Sequence, residues 1–194
     1  EADSSVYRDT DVYVAPGLTA GPTLHHALSL LEQRLDAGAE PDVAAYEAYV
    51  QCLVDAYDHR LATMGDVDDM QSPACTTHIC VVDGQGNMVA LAQTLLSIFG
   101  SRVMLPSTGL MMNNGMMWFD PRPGRPNSIR PGGYPLSNMC PTVFRRSDDV
   151  WFALGASGGR RIMPAVFQLL SFLVDFRMPL DDAVHTPRID YSGP

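Results

Sequence analysis

The side chains whose types and spacing suggest chemistry are two threonines, Thr76 and Thr94, which begin and end the segment TTHICVVDGQGNMVALAQT. Apolar and polar residues alternate on both sides of the turn-forming residues 83–87, a pattern that predicts a β-hairpin. If that turn pairs Val82 with Met88, antiparallel register places Thr76 opposite Thr94. Directly opposed residues have Cβ atoms about 5 Å apart, so the two hydroxyls can form a hydrogen bond.

The threonine pair has a structural and a catalytic interpretation. A cross-strand Thr-Thr pair stabilises a sheet, and without other information this is the commoner role. A threonine hydroxyl is a poor nucleophile unless a base lies beside it, and no Ser-His-Asp arrangement surrounds Thr76 in the sequence. Cleavage of the chain before Thr76 would supply that base, because a new α-amino group has a pKa of about 8.

A second segment that fits acyl transfer is GASGG, at residues 155–159. It lies between a predicted strand and a predicted helix, where consecutive backbone N–H groups without bulky side chains could point at a developing oxyanion. A plain strand-to-helix turn would have a similar sequence. The segment therefore supports acyl transfer only together with the threonine pair.

The composition narrows the classes of ligand. All 13 basic residues are arginines and the formal net charge is −9, which argues against a nucleic-acid or anionic-membrane surface. Residues 1–70 hold 14 acidic residues and three arginines, whereas residues 71–194 hold eight and ten. An anionic ligand is therefore expected in the second part. The five histidines show no metal-ligand spacing, and His78 is interpreted as a sheet residue beside Thr76.

The cysteines and the hydropathy bear on compartment. The four cysteines are Cys52, Cys75, Cys80 and Cys140. Their spacing fits neither a disulfide framework nor a CxxC motif, so we expect free thiols. Free thiols favour the cytoplasm, although the compartment stays open. No run of about 18 apolar residues is present, and the polar start EADSSVYRDTD does not resemble a signal peptide. We therefore expect a soluble chain.

Helices and strands that would position these residues follow from periodicity and stop signals. Helices are predicted over residues 22–37, from Asp42 to Gly65, and after residue 161 with Pro164 in the first turn. Besides the hairpin, strands are predicted at Gly109–Asn113, Pro141–Arg145 and Val150–Leu154. The order of a helix pair, strands and a helix indicates an α/β (α+β) layered fold with an antiparallel sheet. The proline-rich loop from Trp118 to Pro141 is expected to cover or form a site.

Several motifs resemble the γ-glutamyltransferase (γ-glutamyltranspeptidase) family, and they occur in the family's order. They are the hairpin segment, FGS at 99–101, TGLMMNNGMMWF at 108–119, PLSNMCPT at 135–142 and GASGGRRI at 155–162, preceded by LVDAYDHRLATMGDVDD from Leu53. The resemblance implies an N-terminal nucleophile hydrolase with an αββα sandwich, incomplete in this chain. It also implies a precursor that cleaves itself, with residues 1–75 forming the helical C-terminal end of a large subunit and residues 76–194 forming a small subunit truncated at its C-terminus.

The resemblance also implies the roles of individual residues. Thr76 would be the nucleophile after autocatalytic cleavage between Cys75 and Thr76, and Thr94 would orient it. Gly158 and Gly159 would form the oxyanion hole. The expected substrate-binding residues are Ser137, Asn138, Asn114 and Gly115, of which Ser137 and Asn138 occupy the place of the family's carboxylate-binding serines. The implied ping-pong reaction passes an acyl group to water or an amine, as in glutathione metabolism, and requires no cofactor or metal.

The sequence departs from the family pattern where the family binds the donor's α-ammonium group. Gly115, Met117 and Trp118 replace a glutamine and two acids, and Leu96 replaces an asparagine. A desolvated ammonium ion without a countercharge costs several kcal/mol. An alternative substrate is therefore an amide with a carboxylate and no free α-amino group, as an acylase would use.

A non-catalytic role is the second interpretation. The family's sequence extends beyond both ends of this chain, so the chain is expected to be a fragment, inactive alone, or an association subunit. The apolar helix from Phe167 to Phe176 would then be covered by a partner. The expected partners are a small amide or peptide substrate and either the remainder of the large subunit or a second copy, with no nucleic acid or membrane.

Overall fold

The computed structural model describes residues 1–65 and 75–192. The strands are β1 (Asp3–Tyr7), β2 (Thr10–Val14), β3 (Thr76–Val82), β4 (Met88–Thr94), β5 (Thr142–Arg145) and β6 (Trp151–Leu154). The helices are α1 (Gly21–Arg34), α2 (Val43–Met64), α3 (Ile162–Val174) and α4 (Leu180–His185), and short 3-10 turns occur at Gly115–Trp118 and Gly159–Arg161. The mixture of helices and antiparallel strands confirms the α+β class.

The larger sheet is antiparallel throughout, in the order β1-β2-β5-β6. Its last two strands confirm the predictions at 141–145 and 150–154, within a residue at their starts. The description of residues 1–75 as helical is wrong for residues 3–14, which form β1 and β2. Strand β2 pairs with β5, about 130 residues later in the chain, and β1 pairs with β2 at the edge of the sheet; local sequence patterns do not reveal the long-range pairing.

The three predicted helices are present, with one change of boundary. Asp42 caps α2 by accepting a hydrogen bond from the Ala45 amide at 2.9 Å, and Gly65 ends it with a φ of 91°. Helix α1 stops at Arg34 instead of continuing to Gly38. The Arg8 guanidinium donates to the Leu35 carbonyl at 2.7 Å, so a side chain from the β1–β2 turn satisfies the helix end earlier than expected. The short helix α4 was not predicted.

The hydrophobic core lies between the helices and one face of the sheet. Val12, Phe144 and Leu154 occupy neighbouring positions on that face and belong to one buried cluster with α1, α2 and α3. Helix α3 is buried on nearly all sides, including Phe167 and Phe172. The prediction that the apolar stretch Phe167–Phe176 needs a partner's cover is therefore wrong, because this chain's own helices and sheet cover it.

The hairpin β3–β4 forms a separate two-stranded sheet that contacts β5 and β6. Its register pairs Thr76 with Thr94 and Val82 with Met88, as predicted. The Asp83 carboxylate fixes the turn by accepting hydrogen bonds from the Gln85 and Asn87 amides, at 2.8 and 2.9 Å. The Asn87 side-chain amide, which donates to the other carboxylate oxygen at 2.7 Å, and these two backbone bonds hold the pKa of Asp83 below its usual value. Local turn chemistry thus determines the position of both threonines.

The strand predicted at Gly109–Asn113 is wrong. Only one isolated bridge, between Met104 and Met111, forms there. Gly109 has a φ of 69°, and the Ser101 amide donates to the Met112 carbonyl at 3.0 Å, so the segment folds back on the preceding loop. The Met112 amide also donates to the Val103 carbonyl at 2.8 Å, so the pairing is limited to a few residues on either side of the turn and is too short for a strand.

Candidate active site

The Thr94 hydroxyl is the centre of the threonine pair. The Thr76 hydroxyl donates to Thr94 Oγ1 at 3.2 Å, and the Leu96 amide donates to the same oxygen at 2.9 Å. Thr94 in turn donates to the Cys75 carbonyl oxygen at 3.1 Å. A hydroxyl has one hydrogen to donate and two lone pairs, so Thr94 uses all of its hydrogen-bonding capacity here.

The carbonyl group of Cys75 lies in a site with two donors. Besides the Thr94 hydroxyl, the Leu95 amide approaches its oxygen at 3.4 Å, and the Cys75 amide donates to the Leu96 carbonyl at 3.2 Å. This peptide bond is the one that the resemblance identifies as the cleavage site. No sequence pattern indicated this site, because it depends on the backbone bending after β4, where Leu96 has a φ of 69°.

The glycine-rich loop, residues 155–159, connects β6 to α3. Gly158 has a φ of 138° and Gly159 a φ of 62°, conformations that favour glycine. Because neither residue has a side chain, none of its own atoms shields its N–H group. The His78 ring, on the strand that begins with Thr76, contacts the first residue of this loop. The structure thus brings the strand of the candidate nucleophile against the loop that carries the candidate oxyanion donors.

Ser137 and Asn138 are adjacent in sequence but line different recesses. The Ser137 amide donates to the Leu18 carbonyl at 2.7 Å, and its hydroxyl oxygen accepts from the Met139 amide at 3.1 Å. Asn138 Oδ1 accepts a hydrogen bond from Arg60 at 3.2 Å, in a narrow recess. The structure therefore does not place the two side chains together in one recess.

Ser137 shares its recess with Trp118. This recess has a volume of about 510 Å³, and none of its lining residues is charged. The other lining residues are Pro16, Gly17, Leu18, Thr19, Tyr134, Pro135 and Met139. The Trp118 carbonyl accepts a hydrogen bond from the Asn127 side chain at 2.6 Å, which joins the 3-10 turn to the proline-rich loop. The predicted loop thus contributes to the wall of a recess.

Asn114 and Gly115 connect the site's loops. Asn114 Oδ1 accepts from the Ser97 amide at 3.0 Å, and its Nδ2 donates to the Ser97 hydroxyl at 2.8 Å and to the Met117 sulfur at 3.0 Å. Its backbone amide donates to the Leu95 carbonyl at 3.2 Å. Gly115 is buried. The side chain of Asn114 therefore anchors the Trp118 segment to the end of β4.

Arg60 is a buried site residue that sequence reasoning missed. Its side chain donates to the Thr19 carbonyl at 2.9 Å, the Thr23 hydroxyl at 3.0 Å and the Ser137 carbonyl at 2.8 Å. Within residues 1–65 and 75–192 no carboxylate pairs with it, and burial lowers the pKa of the guanidinium. The only sequence signal was its place on a helix between Tyr57 and Leu61, two residues of the predicted apolar face.

The described residues contain neither a candidate metal site nor a helix that could span a membrane. They contain no group of three or more histidine, cysteine, aspartate or glutamate side chains that could hold a metal ion. None of their helices is both long and apolar enough to cross a bilayer.

His78 lies on the sheet, as predicted, and burial lowers its pKa. Its ring contacts Cys80, whose thiol pKa is raised by burial.

Comparison with curated proteins finds relatives over about 60% of this chain. A curated relative named Acylase ACY 1 proenzyme, from Pseudomonas sp. (strain SE83), is 43% identical over 120 residues, which cover 62% of this chain and 22% of that protein. Glutathione hydrolase proenzyme from Bacillus subtilis (strain 168) is 37% identical over 114 residues, covering 59% and 19%. The chain thus spans about a fifth of the length of these relatives.

A solved structure shares the fold over nearly the whole chain. Cephalosporin acylase from Bacillus halodurans superposes with a TM-score of 0.76 and 22% identity, over 97% of this chain and 40% of that one. The family model described as Gamma-glutamyltranspeptidase matches residues 67–192, which include both threonines, the PLSNMCPT segment and the glycine-rich loop. Since this match extends over more than half of the sequence, the chain belongs to the γ-glutamyltranspeptidase family.

Proposed function

We propose that the protein containing this chain is an amidohydrolase or acyltransferase that activates itself by cleaving the Cys75–Thr76 bond. The observation that carries the proposal is the hydrogen-bonded series from the Thr76 hydroxyl to the Thr94 hydroxyl to the Cys75 carbonyl oxygen. It connects the candidate nucleophile with the carbonyl group that it would attack. In this proposal residues 1–75 end the large subunit and residues 76–194 belong to the small one.

Cleavage would proceed through an ester. Thr76 Oγ1 bonds to the Cys75 carbonyl carbon, its proton passes to Thr94, and Thr94 passes its own proton to the Cys75 oxygen. The tetrahedral intermediate then collapses: the carbon–nitrogen bond breaks, the nitrogen takes up the proton, and Cys75 is left esterified to Thr76. Water hydrolyses the ester, which releases a Cys75 carboxylate and restores the Thr76 hydroxyl beside the α-amino group that formed when the carbon–nitrogen bond broke. The Leu95 amide would stabilise the negative charge that develops on the Cys75 oxygen during the attack.

The mature site would then act on an amide substrate. The α-amino group of Thr76 removes the hydroxyl proton, and Oγ1 attacks the substrate carbonyl. The leaving amine takes up the proton as the acyl-enzyme forms, and water or a second amine accepts the acyl group. The N–H groups of Gly158 and Gly159 would stabilise the oxyanion in both steps.

The recess lined by Trp118 and Ser137 favours an acyl group without an α-ammonium ion. None of its lining residues is charged, so an ammonium ion would be desolvated without a countercharge. The Ser137 hydroxyl would donate to a substrate carboxylate. The relative named an acylase proenzyme supports this substrate class, whereas those named glutathione hydrolase proenzymes support a γ-glutamyl donor.

The second candidate is a non-catalytic association subunit, and one observation favours it. The outward face of the hairpin is a row of aliphatic residues with exposed fractions between 45% and 55%. They are Ile79, Val81, Val89 and Leu91. Such a surface fits contact with the remainder of the large subunit or with another partner chain.

Mass spectrometry of the purified full-length precursor distinguishes the two candidates. We expect a new N-terminus at Thr76 in the wild type and in Thr76→Ser, which keeps a hydroxyl, and none in Thr76→Ala, which lacks a nucleophile. Amidase activity should appear only in the cleaved proteins. An intact wild-type chain without amidase activity would instead support the association subunit.

Substitution of Trp118 tests the substrate class. We expect the wild type to hydrolyse a glutaryl anilide faster than a γ-glutamyl anilide. Trp118→Asp should shift the ratio of kcat/KM toward the γ-glutamyl substrate by about tenfold or more, because it supplies the missing countercharge. Trp118→Phe, which adds no charge, is the matched control and should keep the wild-type preference. A wild type that prefers glutathione-like donors over deaminated analogues would contradict this substrate class.

A further inference from the structure

The imidazole ring of His78 lies directly against the backbone of Gly155. A Cβ atom added to Gly155 would overlap three atoms of the ring, Cε1, Nδ1 and Nε2. The ring therefore faces the Gly155 backbone at a distance that no other residue type would allow. Because His78 is on β3 and Gly155 follows β6, this contact separates the hairpin from the sheet by the thickness of one ring.

Hydrogen bonds fix the ring in this position. His78 Nε2 lies 3.2 Å from Cys80 Sγ, and the Cys80 thiol donates to the Ala153 carbonyl oxygen at 3.3 Å. His78 Nδ1 is buried and, within the ranges that the structure describes, has no partner. A hydrogen on Nδ1 would be a buried donor without an acceptor, so the neutral ring carries its hydrogen on Nε2 and donates to sulfur. The bonds thus run from β3 to β6, two residues before Gly155.

This contact lies between the two halves of the proposed catalytic apparatus. Thr76 is two residues before His78 and points to the same face of β3, because side chains alternate along a strand. Gly158 and Gly159 follow Gly155 within the same short loop. The thickness of the His78 ring therefore sets how far the nucleophile's strand lies from the start of the oxyanion loop.

We infer that His78 is a positioning residue for acyl transfer, with Gly155 as its required partner. It holds Thr76 and the N–H groups of Gly158 and Gly159 at the spacing that the tetrahedral intermediate needs, without touching the substrate. This role rests on the proposed function and adds to it a structural determinant outside the threonine pair.

The inference is tested in the full-length, self-cleaved protein by changing the size of the side chains at positions 78 and 155. Gly155→Ala should force the loop away from the ring and lower kcat about 100-fold, with KM changed less than about threefold, because small misplacements of reacting groups affect the transition state most. His78→Ala should also lower kcat, by opening a gap. The double variant His78→Ala, Gly155→Ala should recover at least about tenfold of kcat relative to Gly155→Ala, because the new methyl group occupies the space of the ring.

Two further variants separate positioning from general stability. His78→Gln keeps a flat group with an N–H that can reach Cys80, so it should retain more kcat than His78→Ala even if Gly155→Ala does not fold. Val82→Ala, at the far end of β3 from Thr76 and 54% exposed, should leave kcat unchanged. Effects of the two alanine substitutions that simply multiply, or His78→Gln no better than His78→Ala, would overturn the inference.

The same samples show whether the proposed function itself has failed. A Thr76 N-terminus and amidase activity in the wild type establish the reaction independently of His78. If the wild type has both and the double variant shows no recovery, only the positioning role is wrong. If the wild type has neither, the proposed function is wrong and the positioning role falls with it.

Discussion

At the scale of single residues, Thr94 makes three hydrogen bonds that fit a more specific role than orientation of a neighbour. Its hydroxyl accepts from Thr76 and from the Leu96 amide while it donates to the Cys75 carbonyl. The same hydroxyl therefore contacts the proposed nucleophile and, through its hydrogen, the carbonyl group of the bond that is proposed to be cleaved. A proton can move along this series without a separate base, which suits a precursor in which Thr76 has no free α-amino group.

Replacement of Thr94 should therefore slow self-cleavage. We expect Thr94→Val, which has nearly the same shape but no hydroxyl, to reduce the cleavage rate by about 100-fold or more, because the proton relay is lost. Thr94→Ser keeps the hydroxyl and should remain within about tenfold of the wild type. Gel electrophoresis of freshly translated precursor over time gives the rates. Equal rates for Thr94→Val and the wild type would exclude the relay.

At the scale of secondary-structure elements, helix α2 contributes a buried guanidinium below the Ser137 segment. Arg60 is only 4% exposed, and its donors satisfy the carbonyl groups of Thr19 and Ser137. These carbonyls belong to two loops that line the recess shared by Ser137 and Trp118. The helix thus joins both walls of the recess through one side chain.

Removal of this guanidinium should destabilise the fold. Arg60→Met, of similar length, leaves several buried acceptors unpaired and should lower the free energy of unfolding by about 3 kcal/mol. Arg34→Met on α1 is the matched control: it breaks a partly exposed ion pair with Asp55, which should cost less than about 1 kcal/mol. Urea denaturation of the purified protein measures both. Equal losses in the two variants would show that the Arg60 contacts contribute little.

At the scale of the whole molecule, three histidines are held neutral by burial. Desolvation lowers the pKa of His25, His26 and His78 below the usual 6.5. In the unfolded chain these rings take up protons as the pH falls through about 6.5, whereas in the folded state they resist protonation. Their contribution to stability is therefore complete above that pH and is lost on acidification toward the lowered values.

We accordingly expect the free energy of unfolding to decrease between pH 7.5 and pH 5.5. Four carboxylates also have lowered pKa values, but their contribution to stability is lost at a lower pH, near and below about 3.8. They are Asp9, Asp83, Asp120 and Asp148. Denaturant titrations at both pH values measure the change. His25→Gln, which cannot be protonated, should reduce the difference between them. A stability that is constant or higher at pH 5.5 would contradict this prediction.

The features that could be predicted from the sequence are those that neighbouring residues determine. The Asp83 turn and the period-two pattern fixed the hairpin register, and Asp42 and Gly65 marked the ends of α2. Strands β1 and β2 were missed because the β2 strand that joins them to the sheet pairs with β5, far along the chain. The end of α1 was misplaced for the same reason, since Arg8 reaches it from another element.

By itself the sequence determined the opposed threonines, the glycine-rich loop and the family, because each depends on residues close together along the chain or on motifs in a fixed order. Only the tertiary structure decided the surroundings of these residues. It placed two donors on the Cys75 carbonyl, put Ser137 and Asn138 in different recesses, buried Arg60 beneath them and packed His78 on Gly155. These contacts join segments far apart in sequence, and their geometry is set by how whole elements pack, which local patterns do not specify.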